Sequence, residues 1–428
     1  MCKVKNFSVN SFPQHPKNHN MRKLIITILA LLSVIGAGAA DFPTVLTYDT
    51  ARQVPFDINL PVPDGNYLVT MKIGSKKRAA ETFVKVESRR LAVNDLHTAR
   101  GEFKTVSFVV NKRDTKIRKN GEAVAEVTLK PRENGKLNWD GYLNIEVGGA
   151  SPAVESVTIE PARGATTIFL CGDSTVVDQD NEPWASWGQM FPWFFDTGVA
   201  IANYAESGER ADTFIGAGRL RKILSLMQPG DYVFVEFGHN DQKIDALPGK
   251  GAYYFFATQL KTFIDEVRSR GGIPVLVSPT HRRNFDKEGR IVETHLDYPA
   301  AMKWVAEREG VAFIDLHAMS AKFYEAMGPE ASKRAFVHYK AGSYGMARDV
   351  ADNTHFNPYG AFELAKCVVG AMQVQGLDVA GHIINFAGFN PSEPDPVESF
   401  RWYDSPARDL AAQVLEKDDK ATEVPLRR

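Results

Sequence analysis

The chain has 428 residues, of which 44% are hydrophobic, and its formal net charge is −1. A chain of this length exceeds one typical domain and can bury a sizeable core. The balanced charge excludes the basic footprint of a nucleic-acid-binding protein, and the composition excludes an intrinsically disordered chain. These features indicate a soluble globular protein with more than one domain.

The first 40 residues have the pattern of a signal peptide preceded by an extra segment. A cationic stretch at 21–23 is followed by an uncharged apolar run at 24–35 and by small residues at 36–40. The apolar run is shorter than the roughly 20 residues that span a bilayer. We therefore expect secretion to the periplasm or the exterior, no stable membrane insertion, and a mature chain that begins near Asp41. Residues 1–20 are unpatterned and are left out of the predicted fold.

Residues 41–163 alternate apolar and polar side chains with a period of two. Clear examples are the stretches at 67–73, 106–110 and 125–129. Asp-Gly or Asn-Gly pairs at 64–65, 120–121 and 134–135 punctuate them, as in tight turns between antiparallel strands. This pattern predicts a β-sandwich or jelly-roll domain, either a scaffold or an accessory carbohydrate-binding domain.

Residues 164–388 show a different pattern, in which short continuous apolar strands alternate with helical stretches. The predicted strands are 166–171, 199–205, 232–237, 273–278 and 311–316. Strands buried on both faces and alternating with helices predict a five-stranded, doubly wound parallel sheet. Ligands of such sheets bind beyond the carboxyl ends of the strands. The remaining residues, 389–428, are expected to form a surface-packed extension with one weak helix near 407–416.

A serine follows the first predicted strand of this sheet, in Gly172-Asp173-Ser174-Thr175. Glycine permits a tight turn there, so Ser174 would lie at the mouth of the sheet as a candidate nucleophile. Asp and Ser after a strand are also ordinary turn and N-cap residues, and the motif alone favours that interpretation.

A carboxylate and an imidazole stand three residues apart in Asp352-Asn353-Thr354-His355, just before a helix predicted to open at Asn357-Pro358. On one turn, Asp352 can hold one ring nitrogen of His355 while the other faces a serine. His355 would then act as the base for Ser174. The alternative is that Asp352 caps the helix and His355 packs beside it.

Two further strand ends offer donors for an oxyanion. Gly208 can present a backbone N–H, and Asn240, in Gly238-His239-Asn240-Asp241, can present its side-chain amide. Together with the Ser174 N–H they would form an oxyanion hole of three donors. Each of these residues also has an ordinary interpretation as a turn or cap residue.

Taken together, the blocks around Ser174, Gly208, Asn240 and His355 resemble those of the SGNH, or GDSL-type, hydrolases. The segments 203–208, 235–241 and 352–356 are most similar to the rhamnogalacturonan acetylesterases, carbohydrate esterase family twelve. The resemblance covers residues 166–375 and implies a flavodoxin-like, three-layer αβα domain. The β-sandwich lies outside this family core.

The resemblance implies metal-independent removal of acetyl groups from galacturonic acid units of a pectic backbone. Ser174, Asp352 and His355 would be the catalytic triad, and Ser174, Gly208 and Asn240 the oxyanion hole. The family often has Arg-Ser after the block-two glycine, whereas Glu209-Arg210 stand here.

Four further residues are candidates for substrate contact. His281 and Arg282 could place cations near a uronate carboxylate, Arg210 could contact the substrate from the loop after Gly208, and Trp184 could stack on a sugar ring. A solvated loop, or an amphipathic helix that buries its tryptophans, is the competing interpretation.

No metal or cofactor is predicted from the sequence. The histidines at 239, 295, 317 and 338 lack metal-ligand spacing. The two cysteines after the predicted cleavage site, Cys171 and Cys367, are too few for a disulfide scaffold. Whether these two cysteines pair is left open.

Three functional hypotheses follow. The first is a secreted pectin acetylesterase whose partner is an acetylated pectic polysaccharide or oligosaccharide. The second is an acetylesterase that acts on another glycan, such as xylan, or on small esters. The third, from another class, is a glycan-binding protein with an inactive hydrolase domain.

Overall fold

A computed structural model describes residues 44–47 and 56–406. The predicted signal peptide, the segment 1–20 and the predicted helix at 407–416 lie outside the described residues. Among the helices that the structure describes, none has both the length and the apolar character needed to cross a membrane.

The N-terminal part contains two antiparallel sheets of four strands each. The strands of this part are β1 (Thr44–Thr47), β2 (Phe56–Pro61), β3 (Gly65–Gly74), β4 (Ala80–Val86), β5 (Arg90–Thr98), β6 (Phe103–Lys112), β7 (Lys116–Lys119), β8 (Glu122–Glu126), β9 (Tyr142–Ser151) and β10 (Val154–Pro161). The sheets have the orders β1-β10-β3-β6 and β2-β9-β4-β5, and β7 and β8 form a separate hairpin. Val69, Val84, Val147 and Val157 are fully buried between the two sheets, as the period-two pattern requires. The predicted antiparallel β-sandwich is therefore present.

Two of the predicted turns in this part had different outcomes. Asn120 and Gly121 both have positive φ and connect β7 to β8, as expected of an Asn-Gly hairpin turn. Asn134-Gly135 does not connect two strands, so the prediction of a strand-to-strand turn there is wrong. It lies between two single 3₁₀ turns, Pro131–Glu133 and Leu137–Trp139, in a loop that binds the C-terminal part through Glu133 and Arg219 instead of continuing a sheet.

The C-terminal part has a five-stranded parallel sheet. Its strands are β11 (Thr166–Cys171), β12 (Val199–Asn203), β13 (Tyr232–Val235), β14 (Ile273–Val277) and β15 (Ala312–Ile314). Their order is β12-β11-β13-β14-β15, with the first strand second from the edge. This is the flavodoxin-like order, and it confirms the predicted α/β fold of the SGNH type.

Helices cover both faces of this sheet. They are α1 (Trp187–Met190), α2 (Ala211–Gly216), α3 (Arg219–Leu226), α4 (Ala257–Ser269), α5 (Tyr298–Glu309), α6 (Leu316–Ala331) and α7 (Pro358–Val374). One apolar cluster joins the sheet to α1, α6 and α7, and a second joins it to α2 through α5. A short antiparallel pair, β16 (Phe336–Tyr339) and β17 (Val350–Phe356), leads into α7. The result is the three-layer αβα arrangement.

Buried charged side chains connect the sandwich to the α/β part. Arg90, at the start of β5, places Nε 3.1 Å from Oδ2 of Asp178. The guanidinium of Arg113 lies 4.5 Å from the ring centroids of both Trp139 and Tyr204. These groups are shielded from water, so the two parts are held together by contacts that neither part makes alone.

The segment after α7 also contacts both parts. Lys366 of α7 binds the Asp395 carboxylate at 2.7 Å. Further along, the indole N–H of Trp402 donates to the Glu182 carboxylate at 3.1 Å. The Trp402 ring centroid lies 3.8 Å from Nζ of Lys85 in β4. Residues 389–406 are therefore packed across the surface that the two parts share.

Candidate active site

The Ser174 side chain lies beyond the carboxyl end of β11, the first strand of the parallel sheet. Asp173 precedes it and is fully buried, with Oδ1 accepting from the Thr175 amide at 3.0 Å and from the Thr175 hydroxyl at 2.9 Å. Asp173 thus forms the tight turn that the sequence permitted, and Ser174 is left partly exposed at its tip. The interpretation as a turn and the interpretation as a candidate nucleophile are compatible, because the turn presents the Ser174 hydroxyl.

Asp352 and His355 lie in a bulge of β17. β17 pairs with β16 at Phe356 and again at Ala351. Residues 351–356 of β17 therefore lie opposite only three residues of β16, and residues 352–355 bulge out of the sheet. Asp352 Oδ1 accepts the amides of Thr354 and His355 at 2.8 and 2.9 Å, which closes the bulge as a local turn. The helix α7 is capped by Asn357 and not by Asp352, so the capping alternative is wrong.

The three side chains are connected by two short hydrogen bonds. His355 Nε2 lies 2.8 Å from Ser174 Oγ, and His355 Nδ1 lies 2.7 Å from Asp352 Oδ2. Burial alone would raise the pKa of Asp352, but the imidazole and the two backbone amides lower it to about 2. Asp352 is therefore ionised at neutral pH and can hold Nδ1–H, which leaves the Nε2 lone pair facing the serine hydroxyl.

The predicted oxyanion donors lie on two neighbouring loops. Gly208 is exposed and has φ +71°, a left-handed conformation in which a side chain would be strained. The Asn240 amide is buried and donates to the Glu209 carbonyl at 3.0 Å. The two loops are thus joined to one another, and both follow strands adjacent to β11.

A second layer of buried carboxyl groups supports the turn at Ser174. Thr175 Oγ1 lies 2.9 Å from both Asp173 Oδ1 and Glu236 Oε1, although a hydroxyl has only one hydrogen. Burial, together with the nearby Asp173, raises the pKa of Glu236 to about 8. A protonated Glu236 supplies the second hydrogen and completes the chain from Glu236 through Thr175 to Asp173. Glu236 also accepts the indole N–H of Trp187.

Two of the four predicted substrate contacts lie partly at the surface. Trp184 is half-buried before α1, whereas Trp187 is 1% exposed and belongs to the core. Arg210 is half-buried, and its guanidinium donates two hydrogen bonds to the Asp212 carboxylate, from Nε at 2.8 Å and from Nη2 at 3.0 Å. The prediction that Trp184 and Arg210 contact a sugar remains open.

The other two predicted contacts, His281 and Arg282, lie in a buried cluster behind the site. Arg282 donates to the His239 carbonyl at 3.2 Å, and its Nη1 lies 3.3 Å from His295 Nε2. Both side chains are at most 8% exposed. This burial places them away from a sugar, because the guanidinium is already used in fixing the loop that carries His239 and Asn240.

The same cluster brings together residues that could hold a metal ion. Potential ligand atoms of His281, Glu293, His295 and His317 lie within 4.8 Å of one another. Their positions in the sequence show no ligand spacing, because three of them come from the long loop between β14 and α5 and the fourth from the start of α6. Burial lowers the pKa of His281 to about 4 and that of His295 to about 3, so both imidazoles are neutral at pH 7.

Two observations favour hydrogen bonding over metal binding in this cluster. Glu293 already contacts His317 Nε2 at 2.7 Å, and His317 Nδ1 donates to the Pro279 carbonyl at 2.8 Å. The fixed positive charge of Arg282 beside His295 opposes a divalent cation at the same place. We assign the cluster to positioning of the strand-end loops, and the absence of a catalytic metal stays a prediction.

Two residues at the site were missed by sequence reasoning. Lys130 and Arg132, from the sandwich loop between β8 and β9, both bind the carbonyl oxygen of Ser207, next to Gly208. Lys130 also contacts the Glu209 carboxylate at 3.0 Å, and Arg132 contacts that of Glu206 at 2.9 Å. No local pattern marks them, because their partners lie about 75 residues away in the sequence.

The order of the strands and the Ser-His-Asp arrangement beyond them are those of a serine hydrolase on a parallel α/β sheet. Residues 170–361 match the model of the GDSL-like lipase/acylhydrolase family. The rhamnogalacturonan acetylesterase RhgT of Bacillus subtilis is 41% identical over 224 residues, which cover 52% of this chain and 95% of that protein. The chain belongs to the GDSL-like lipase/acylhydrolase family, and it is a serine esterase.

Two further proteins of Bacillus subtilis are similar to this chain. The probable rhamnogalacturonan acetylesterase YesY of Bacillus subtilis is 32% identical over 51% of this chain and 98% of its own length. The crystal structure of protein YxiM from Bacillus subtilis aligns with a TM-score of 0.45 and 25% identity, over 81% of this chain and 88% of that chain.

Proposed function

We propose that the protein is a carbohydrate acetylesterase that removes acetyl groups from pectic polysaccharide, with the galacturonic acid units of a rhamnogalacturonan backbone as its substrate. The observation that carries the proposal is the hydrogen-bonded chain from Ser174 through His355 to Asp352 at the carboxyl end of the sheet. The pectic substrate is supported by the similarity to two rhamnogalacturonan acetylesterases, each matched over nearly its whole length.

In the proposed mechanism Ser174 Oγ attacks the carbonyl carbon of the acetyl ester. His355 Nε2 takes the hydroxyl proton during the attack, and the ionised Asp352 stabilises the imidazolium that forms. When the tetrahedral intermediate collapses, the imidazolium gives its proton to the sugar oxygen. The deacetylated sugar leaves, and Ser174 carries the acetyl group.

The second half of the reaction repeats these steps with water. Water gives its proton to His355 while it attacks the acetyl-serine, and the collapse returns the proton to Ser174 Oγ and releases acetate. In both halves the amide groups of Ser174, Gly208 and Asn240 stabilise the negative charge on the acetyl oxygen. Such donors act without reorganisation because the loops that carry them are already fixed.

The test measures acetate release from acetylated rhamnogalacturonan by the mature protein and by Ser174→Ala, with and without a chelator. We expect release that the chelator does not change and that falls by at least about a thousandfold in Ser174→Ala, since loss of the nucleophile leaves only binding and oxyanion effects. Thr175→Ser, which keeps a hydroxyl in the same turn, is the matched control. Full activity in Ser174→Ala would remove this residue from the mechanism.

The same assay separates the alternative substrates. Turnover of an aryl acetate or of acetylated xylan, without release from rhamnogalacturonan, would keep the triad and overturn the pectic assignment. Binding of acetylated polymers without turnover of any of them would favour a glycan-binding protein instead.

We also propose that the protein is exported, on the basis of residues 21–40 alone. The test is fractionation of cells that express the full chain, followed by N-terminal sequencing of the product. A mature N-terminus near Asp41 outside the cytoplasm is expected, and an intact N-terminus in the cytoplasm would contradict the proposal.

A further inference from the structure

We propose that Lys130 and Arg132, from the β-sandwich part, are positioning residues for the oxyanion hole. They would act by holding the peptide group that joins Ser207 to Gly208. This inference rests on the proposed function, because it concerns the Gly208 N–H donor of the same site.

The geometry begins with the Ser207 carbonyl oxygen, which accepts two charged donors. Lys130 Nζ lies 2.7 Å from this oxygen, and Arg132 Nη2 binds it as well. A trans peptide group is planar, and its C=O and N–H point in opposite directions. Fixing the Ser207 carbonyl on the sandwich side therefore fixes the direction of the Gly208 N–H on the other side.

This peptide group needs such a restraint. Gly208 has φ +71° and lies at an exposed turn, where a glycine can change its backbone angles at small cost. A rotation of the peptide plane would point the carbonyl, and not the N–H, at the oxyanion. Charge-assisted hydrogen bonds are roughly twice as strong as neutral ones, and such a rotation would break two of them at once.

The two cations also act on the strength of the donor. Positive charge at the carbonyl end of a peptide group favours its polarisation, which makes the N–H a better donor to a developing negative charge. Lys130 and Arg132 both bind the Ser207 oxygen, so their charges are in direct contact with the peptide that they would polarise.

Both cations are themselves held in place. Arg132 Nε donates to Glu206 at 2.9 Å, and Lys130 Nζ contacts Glu209 at 3.0 Å. The 3₁₀ turn that carries Arg132 ends at Glu133, which forms a fully buried ion pair with Arg219 of α3. The loop is therefore anchored on the α/β part and does not depend on a flexible side chain alone.

Glu206 completes the support as a permanent negative charge. Burial alone would raise its pKa, but Lys136, Arg219 and Arg132 lower it to about 2. It stays ionised across the physiological range and keeps Arg132 in position beside Ser207.

A competing role for the two cations is direct binding of a uronate carboxylate of the substrate, since both are about one-third exposed. The two roles differ in a measurable way. Binding of a uronate would change KM on the polymer alone, whereas positioning of the oxyanion peptide would change kcat on any acetyl ester.

The experiment compares the wild type with Lys130→Met/Arg132→Met on an aryl acetate, which has no carboxylate, and on acetylated rhamnogalacturonan. We expect kcat to fall roughly ten- to a hundredfold on both substrates with KM changed by less than about threefold, somewhat less than the loss of a whole oxyanion donor. Arg132→Lys keeps a cation, so with Lys130 unchanged its kcat should be higher than that of Arg132→Met.

The matched control is Lys222→Met. Lys222 also joins the two parts, at 2.6 Å from Asp64, but it has no contact with the Ser207 loop among the described contacts. We expect its kcat to stay within about twofold of the wild type, and thermal unfolding of every variant checks that it is folded.

Three results would overturn the proposal: a folded double variant with wild-type kcat on both substrates, an increase of KM confined to the polymer, or an equal loss of kcat in Lys222→Met. If the double variant does not fold, Lys130→Met and Arg132→Met are measured singly, and wild-type kcat in both would contradict the proposal. Failure of the proposed function is seen separately, as full activity in Ser174→Ala.

Discussion

At the scale of single residues, the site depends on protonation states that burial and hydrogen bonding set in opposite directions. Asp352 is kept ionised by its hydrogen bonds, whereas Glu236, only 1% exposed, is kept protonated by the loss of water around it. Two carboxyl groups of one site thus have opposite roles at neutral pH. Asp352 accepts from the imidazole, and Glu236 can donate to the turn beneath Ser174.

The raised pKa of Glu236 predicts how stability changes with pH. The unfolded chain releases this proton near pH 4.5, while the folded protein retains it up to about pH 8. Between these values the unfolded state binds fewer protons, so the contribution of Glu236 to stability falls as pH rises. In the wild type this contribution lowers the unfolding free energy between pH 5 and pH 8. Glu236→Gln mimics the protonated group, so the decrease should be smaller in this variant by a few kcal/mol.

Urea unfolding at the two pH values measures this difference. Glu160→Gln, which changes an exposed carboxylate of β10, is the control and should follow the wild type. A Glu236→Gln variant with the same pH profile as the wild type would show that Glu236 is ionised in the folded protein.

At the scale of secondary-structure elements, the site depends on where β17 stops and α7 begins. The bulge of β17 presents His355, and the helix starts three residues later at Pro358. Asn357 connects the two. Its Oδ1 accepts the Gly360 amide at 3.1 Å, and its Nδ2 donates to the Arg334 carbonyl at 2.7 Å. One side chain thus caps the helix and ties it to the segment before β16.

Replacement of Asn357 should therefore cost more than the loss of a cap alone. We expect Asn357→Ala to lower the unfolding free energy by about 2–3 kcal/mol, from the lost cap and from a carbonyl left without its donor. Asn357→Ser keeps a capping oxygen and should recover about 1 kcal/mol. Chemical denaturation measures both variants, and a change below about 0.5 kcal/mol in Asn357→Ala would contradict the assignment.

At the scale of the whole molecule, buried charge joins the sandwich to the α/β part. Arg90 lies on the sandwich side and Asp178 on the other, and their side chains are at most 1% exposed. The Arg90 guanidinium also donates to the Ile201 carbonyl of β12 at 3.0 Å. Such a pair adds little stability compared with apolar packing, but breaking it leaves a buried charge without its partner.

We expect Arg90→Met to lower the unfolding free energy by about 3–5 kcal/mol, with both parts unfolding in one transition. Tryptophan fluorescence and far-UV circular dichroism, recorded in the same urea titration, measure this. Lys72→Met, which removes an exposed ion pair with Glu155 inside the sandwich, should cost less than about 1 kcal/mol. Two separate transitions in the wild type would show that the parts unfold independently.

The sequence by itself determined the two fold classes and placed the carboxyl ends of the five parallel strands within about two residues of their observed positions. Period-two alternation and continuous apolar strands are local patterns, and each is dictated by which faces of a strand are buried. For the same reason the sequence placed Ser174 beyond the first strand of the parallel sheet and put His355 within reach of Asp352, three residues away. The roles of these residues stay predictions until Ser174→Ala is measured.

Only the tertiary structure decided what surrounds these residues. The sandwich loop with Lys130 and Arg132 reaches the Ser207 carbonyl, and His281 and Arg282 turn inward to a buried cluster where the sequence suggested a sugar contact. Neither result has a local signal. Contacts between distant segments depend on how two separately patterned parts dock, and docking is set by shape and buried charge over the whole interface and not by the period of any single segment.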